Sequence, residues 1–131
     1  MTDRANQRIL IIGRSIPLIE GVADLLQVVG YPVEMSSGWA DATYVRQEMP
    51  PNLIIVDLSI AAPDVYKLAE DVRSSPGWSD IPLLFVSFSG DDRIRDLQWR
   101  TRKNGGDRLH FYAHTLLSLD DLLETVRTCL A

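Results

Sequence analysis

Three short, uninterrupted runs of apolar residues constrain the fold of this chain more than any other feature. They are Ile9–Ile12, Leu53–Val56 and Leu83–Val86. Each has the length of a strand and lacks polar alternation, which predicts a strand that is buried on both faces. Such strands occur in parallel sheets with helices on both sides. The 131 residues are enough for one domain of this kind.

Three sets of apolar residues recur at helical spacing and predict amphipathic helices. They are Leu18, Val22, Leu25 and Val29; then Val65, Leu68, Ala69 and Val72; then Leu119, Leu122, Leu123, Val126 and Leu130. Gly30 follows the first set where a left-handed C-cap is expected, and Ser118 with Asp121 precedes the last set as a capping-box-like start.

Two further strands and two further helices complete the predicted order. The strands are expected at 33–35 and 109–113, and the helices over about 38–49 and 91–103. The chain is therefore predicted to be an α/β protein with five βα units, a five-stranded parallel sheet and helices on both faces. In such sheets the functional groups lie outside the carboxyl ends of the strands.

Charge and cysteine content exclude several classes of function. The formal net charge of −5 argues against general nucleic-acid binding. Cys129 is the single cysteine, so no internal disulfide can form, and we expect it to be a small buried hydrophobe on the last helix. Neither a membrane span nor a signal peptide is evident, which predicts a cytoplasmic location. We expect one domain over residues 1–131, with a core from about 8 to 130 and no output domain.

Asp57 and Ser87 end the third and fourth predicted strands, and this order resembles the receiver domain of two-component response regulators. The likeness covers most of the chain, from about Arg8 to Leu130. It is carried by residues 9–12, 30–34, 52–58, 81–87 and 118–123. The resemblance implies a flavodoxin-like fold and a role in phosphorelay signalling through contacts with a histidine kinase or a downstream effector. No Ser-His-Asp order or nucleophile elbow suggests a hydrolase, so an enzyme is not predicted.

The resemblance makes Asp57 the phospho-acceptor. In that family Mg²⁺ is held by an acidic pair after the first strand, which suits the preference of this ion for oxygen ligands. A hydroxyl group, here Ser87, and a lysine after the fifth strand contact the phosphoryl oxygens. Gly13 and Arg14 stand at the positions of the acidic pair, so neither residue supplies a carboxylate.

The lysine is also missing. Counted forward from the Gly105-Gly106 pair its place falls on Tyr112, whereas counted back from Ser118 it falls on Thr115. Tyr112 is thus a candidate phosphate-contact or switch residue. We expect an atypical receiver that signals without phosphorylation and has no cofactor, with weak Mg²⁺ binding only if phosphorylation is retained.

Arg14 and Asp57 are expected at the carboxyl ends of adjacent strands. We therefore predict that the Arg14 guanidinium reaches the Asp57 carboxylate and fills the volume that Mg²⁺ would take. At about 4 Å and an effective dielectric of 20 the gross attraction is roughly 4 kcal/mol. The net gain after desolvation is much smaller.

A basic stretch in the helix predicted over 91–103 has two interpretations. The plainer one is a solvated helix face. The functional one is a partner surface that includes Arg95, Trp99 and Arg102, because Trp and Arg are enriched at binding hot spots. By family analogy this face could also form a homodimer. His110 and His114 lack further ligands nearby, so no metal site is predicted.

Two other functions stay open at this point. One is a working, Mg²⁺-dependent phospho-acceptor that slowly dephosphorylates itself. The other is a flavodoxin-like binder of a small molecule. A phosphate-binding loop would need several glycines after the first strand, but residues 13–15 contain one.

Overall fold

The computed structural model describes residues 6–13, 17–37, 50–57, 65–87, 111–115 and 118–130. The strands are β1 (Ile9–Ile12), β2 (Val33–Ser36), β3 (Leu53–Asp57), β4 (Leu83–Ser87) and β5 (Phe111–Thr115). The helices are α1 (Pro17–Val28), α2 (Val65–Ser74) and α3 (Leu119–Leu130). The helices predicted over 38–49 and 91–103 lie outside the described residues.

The five strands form one sheet in the order β2-β1-β3-β4-β5, and every pairing is parallel. This confirms the parallel α/β architecture. Strand β5 begins and ends two residues later than the predicted 109–113. After β1 the chain adds β2 on one side and β3 on the other, so the strand order reverses between β1 and β3.

The three apolar runs are buried on both faces, as their lack of polar alternation predicts. Alternate residues of β1, β3 and β4 share one core cluster with α1 and α3. The sheet residues of that cluster are Ile9, Ile11, Leu53, Ile55, Leu84 and Val86. The intervening residues are equally buried, as Leu10, Ile54 and Phe85 illustrate with exposures of 2% or less.

The buried stripe of α1 is rotated from the predicted one. Its most buried residues are Ile19, Val22, Ala23 and Leu26. Leu25 and Val29, which belong to the predicted stripe, are partly buried and pack against the core. Apolar residues cover more than half of this helix, so two stripes fit the spacing, and packing against the sheet selects one of them.

The predicted caps are present. Gly30 has a φ of 108°, which favours glycine. Its N–H donates to the Gln27 carbonyl at 3.0 Å, and the Tyr31 N–H donates to the Leu26 carbonyl at 3.0 Å, the two bonds of a Schellman motif. At the start of α3 the Asp121 N–H donates to Ser118 Oγ at 3.1 Å.

Cys129 is buried in the core on α3, as predicted. Burial raises the pKa of its thiol to about 12. Within the part of the chain that the structure describes, no helix has the length and hydropathy needed to cross a membrane.

Candidate functional site

The strand order reverses between β1 and β3, so the switch point of this sheet lies at the carboxyl ends of these two strands. Open α/β sheets bind their ligands at such a switch point. Ile12 pairs with Val56 in the parallel register, so Gly13 and Asp57 are the next residues along their strands. The topology therefore brings together the first acidic-pair position and the predicted acceptor.

Gly13 lies directly against the Asp57 side chain. A Cβ atom built on Gly13 would be 3.4 Å from Asp57 Cβ and 3.3 Å from Ile19 Cγ2. The Gly13 N–H donates to the Ser36 carbonyl at 2.9 Å, which ties the end of β1 to β2. Position 13 is thus enclosed by β2, β3 and the first turns of α1.

Asp57 and Ser87 are the two buried residues with polar or charged side chains in the described ranges, with exposures of 6% and 5%. Asp57 pairs with Val86, so Ser87 lies one residue beyond it on the neighbouring strand. Burying polar groups is costly unless they are hydrogen-bonded. Among the described residues no fully buried side-chain nitrogen or oxygen lacks a hydrogen-bond partner. The cost of burying these two polar side chains is therefore offset by hydrogen bonds.

The register of β5 bears on the two candidate positions for the missing lysine. Thr115 pairs with Ser87 at the carboxyl edge, whereas Tyr112 pairs with Leu84, three residues earlier on the strand. The carboxyl edge runs from Gly13 through Asp57 and Ser87 to Thr115. The structure describes the backbone of Tyr112 and Thr115 but not their side chains.

The described residues at this switch point supply too few oxygen ligands for a Mg²⁺ ion. This ion requires several oxygen ligands at near-octahedral geometry. Gly13 has no side-chain oxygen, and the space around it is bounded by the Ile19 methyl group and Asp57 Cβ. The residues that the structure describes contain no group of three His, Cys, Asp or Glu side chains able to hold a metal.

Several predicted site residues lie outside the described ranges. They are Arg14, at the second acidic-pair position, and Arg95, Trp99 and Arg102, on the predicted partner surface. The predicted contact between Arg14 and Asp57 therefore stays a prediction. Sequence reasoning missed Ile19 as a site residue, because helical spacing signals burial without saying which neighbour an apolar side chain touches.

No protein-family model matches the chain. The transcriptional regulatory protein BaeR of Escherichia coli is 35% identical over 99 residues, which cover 73% of this chain and 40% of BaeR. The chain spans about two fifths of the length of the curated relatives that it matches.

Two solved structures have the same fold over nearly the whole chain. The signal receiver domain of a signal transduction histidine kinase from Syntrophus aciditrophicus has a TM-score of 0.70 and 25% identity, and the match covers 95% of this chain and 89% of that domain. The chemotaxis response regulator CheY4 of Vibrio cholerae has a TM-score of 0.69 and 20% identity, with 95% and 98% covered.

The strand order and the site at the switch point define a parallel α/β domain consistent with the flavodoxin-like fold. Within that class, the structural neighbours are response-regulator receiver domains and the curated relatives are response regulators. The resemblance to receiver domains that Asp57, Ser87 and the strand pattern indicated is thus confirmed.

Proposed function

We propose that the chain is a receiver domain of two-component signalling that acts through protein–protein contacts and does not depend on phosphorylation of Asp57. The observation that carries this proposal is the packing of Gly13. Gly13, which has no side chain, lies next to Asp57 at the position where receivers have the first carboxylate of the acidic pair. The proposal includes the complete architecture of five βα units, with helices on both faces, as one domain over residues 1–131.

Electrostatics is the physical reason. Phosphoryl transfer to Asp57 would bring an anionic phosphoryl group onto an anionic carboxylate, so the barrier depends on positive charge placed in advance. The Gly13 and Arg14 positions supply no metal ligand. We further propose that Thr115 takes the place of the lysine, because its pairing with Ser87 puts it at the carboxyl edge. Two sources of positive charge are therefore absent from the phosphorylation machinery.

Arg14 has a different role in this proposal. Asp57 is buried to 6% exposure, and a carboxylate in such a place is favoured by a cationic partner. Arg14 follows Gly13 in the sequence, and a Cβ atom on Gly13 would be 3.4 Å from Asp57 Cβ. The Arg14 guanidinium would pair with Asp57 permanently. The domain would then stay in one conformation instead of changing conformation on phosphorylation.

The proposed output is a contact with another signalling protein, such as a histidine kinase or a downstream effector, or with a second copy of the chain. Arg95, Trp99 and Arg102 form the proposed contact surface, because Trp and Arg are enriched at binding hot spots. No cofactor is part of this proposal.

The deciding experiment is intact mass after incubation with acetyl phosphate and Mg²⁺. Wild-type protein is compared with Asp57→Ala, and a receiver that has the complete acidic pair serves as the positive control. We expect a phosphate-sized mass gain in the positive control alone. A gain in the wild type that Asp57→Ala abolishes would contradict the proposal.

The same experiment tests the second candidate, a slow but working phospho-acceptor. The burial of Asp57 beside Ser87 favours it, because both groups that would touch a phosphoryl group remain at adjacent strand ends. In that case the mass gain would require Mg²⁺ and would decay with time after acetyl phosphate is removed.

A further inference from the structure

One side chain outside the predicted acidic pair lies close to position 13, the first residue of that pair. Ile19, in the first turns of α1, has its Cγ2 methyl 3.3 Å and its Cγ1 3.7 Å from the place where a Cβ on residue 13 would be. The shorter distance is tighter than ordinary van der Waals contact between carbon atoms, which is about 3.5–4.0 Å. Any side chain at position 13 therefore meets Ile19 first.

Ile19 has little freedom to give way. Its exposure is 2%, and it belongs to the core cluster that joins α1 to the sheet. Its branched Cβ leaves one strongly preferred χ1 rotamer in a helix, so Cγ2 cannot rotate aside without strain. Close-packed interiors transmit such strain to their neighbours.

Gly13 is equally restrained from the other side. Its N–H is bonded to the Ser36 carbonyl at 2.9 Å, so the strand end cannot move away from β2 without losing that bond. Asp57 Cβ bounds the same space at 3.4 Å. Position 13 therefore lies between α1, β2 and β3, and a shift of Gly13 would disturb its contacts with these elements.

We infer that Ile19 closes the metal position over Gly13, so that carboxylates at positions 13 and 14 are not sufficient to create a Mg²⁺ site in this chain. This inference rests on the proposed function, since it takes the loss of the metal as given. It adds that Ile19, a residue outside the acidic pair, would also have to change before a Mg²⁺ site could form.

A double-mutant cycle on folding stability tests the contact itself. Gly13→Ala is made in the wild type and in an Ile19→Ala background, and each protein is unfolded with urea. We expect Gly13→Ala to raise the unfolding equilibrium constant by about fivefold or more in the wild type, and to leave it unchanged or lower it when Ile19 is shortened. An equal effect in both backgrounds would overturn the inference.

Two further variants make the cycle robust. Gly21→Ala is the matched control, because an added Cβ on this α1 glycine meets nothing within 4 Å, so it should stabilise the protein equally in both backgrounds. If Ile19→Ala does not fold, Ile19→Leu replaces it, since leucine has no Cγ2 methyl on Cβ at nearly the same volume.

Metal binding tests the consequence. Mn²⁺ serves as the probe and is followed by the relaxation of water protons. The variant with Gly13→Asp and Arg14→Asp is compared with one that also carries Ile19→Ala. We expect at least about tenfold tighter binding in the second variant, the ratio set by roughly 1.4 kcal/mol. Equal affinities would overturn the inference and leave the proposed function standing, whereas phosphorylation of the wild type would overturn the proposed function instead.

Discussion

At the amino ends of the strands several direct hydrogen bonds join neighbouring segments, whereas the carboxyl ends combine the Gly13 N–H bond to the Ser36 carbonyl with the buried side chains of Asp57 and Ser87. Arg8 and Asn52 exchange two bonds of 2.8 Å, from the Arg8 N–H to Asn52 Oδ1 and from the Asn52 N–H to the Arg8 carbonyl. The Ile9 N–H donates to the Pro32 carbonyl and the Ile54 N–H to the Pro82 carbonyl, at 2.9 and 3.0 Å.

The turn between α2 and β4 extends the same contrast. Trp78 is buried there at 2% exposure, and Arg73 Nη1 donates to the Ile81 carbonyl at 2.7 Å. Burial lowers the pKa of the Arg73 guanidinium, and Asp80 opposes that effect. This arrangement stabilises the start of β4 without contributing to the candidate site.

Most of these contacts between strands therefore lie at one end of the sheet, and the candidate site lies at the other. Residues at the carboxyl ends are selected for what they bind, so they can change without removing the contacts that hold the strands together. Under the proposed function, this explains how the chain can share the fold of receiver domains while Gly13 and Arg14 stand at the predicted acidic-pair positions.

Replacing Trp78 by alanine should cause the largest loss. We expect Trp78→Ala to lower the free energy of unfolding by roughly 3–5 kcal/mol, because it empties a large buried volume near the amino ends. Urea denaturation measures the change. Val28→Ala, at a position that is 83% exposed, is the control and should change stability by less than about 0.5 kcal/mol. A small loss for Trp78→Ala would remove the basis of the comparison.

The thiol of Cys129 reports on the core that both ends share. Because burial raises its pKa to about 12, the folded protein should react with a chromogenic disulfide reagent at neutral pH at least about a hundredfold more slowly than the urea-unfolded chain. Equal rates would show that this part of α3 opens readily.

The same shift predicts a pH dependence with a definite sign. The folded state keeps the Cys129 proton at pH values where the unfolded thiol has lost it. The stabilisation is complete below the ordinary pKa of 9.0 and is lost as the pH rises toward about 12. Relative to Cys129→Ala, the wild type should therefore become less stable through that range, and a parallel course of the two proteins would contradict this.

Sequence patterns predicted the parts of the fold that depend on a single effect, such as the burial of apolar residues or the local chemistry of a helix cap. Continuous apolar runs locate β1, β3 and β4 because burial on both faces leaves no polar alternation. Gly30 and Ser118 were predictable because caps have local chemistry. The α1 stripe was not, since packing chooses between two apolar faces. The position of Ile19 against Gly13 is a tertiary contact, which no spacing rule contains.

The candidate site shows the same division. Asp57 and Ser87 were predictable because each ends an apolar run, and the end of a strand is where such sheets act. The residue opposite Ser87 could not be decided from the chain, as counting from Gly105-Gly106 and from Ser118 gives different answers. The strand register puts Thr115 there, a fact that depends on how β4 and β5 pair.

A smaller effect is expected at the start of α3. Ser118→Ala removes the Oγ that accepts from the Asp121 N–H at 3.1 Å and should cost about 1 kcal/mol. Ser74→Ala is the matched control, because Ser74 Oγ donates back to the Glu70 carbonyl within its own helix and caps nothing. If both variants lose the same stability, the cap contributes nothing beyond a generic hydroxyl.

Asp57→Asn should have the smallest effect on stability, although it replaces a buried charge. Asparagine keeps the shape and one acceptor oxygen. The loss of attraction to a cation such as Arg14 is opposed by relief from burying a carboxylate, so the net change is expected within about 0.5 kcal/mol. Urea denaturation measures it, with the exposed Asp120→Asn as control. A loss above about 2 kcal/mol would mean that Asp57 anchors the sheet. The carboxyl ends would then stabilise the fold as strongly as the amino ends. Asp57 would be a structural residue, and the difference in role between the two ends of the sheet would not hold.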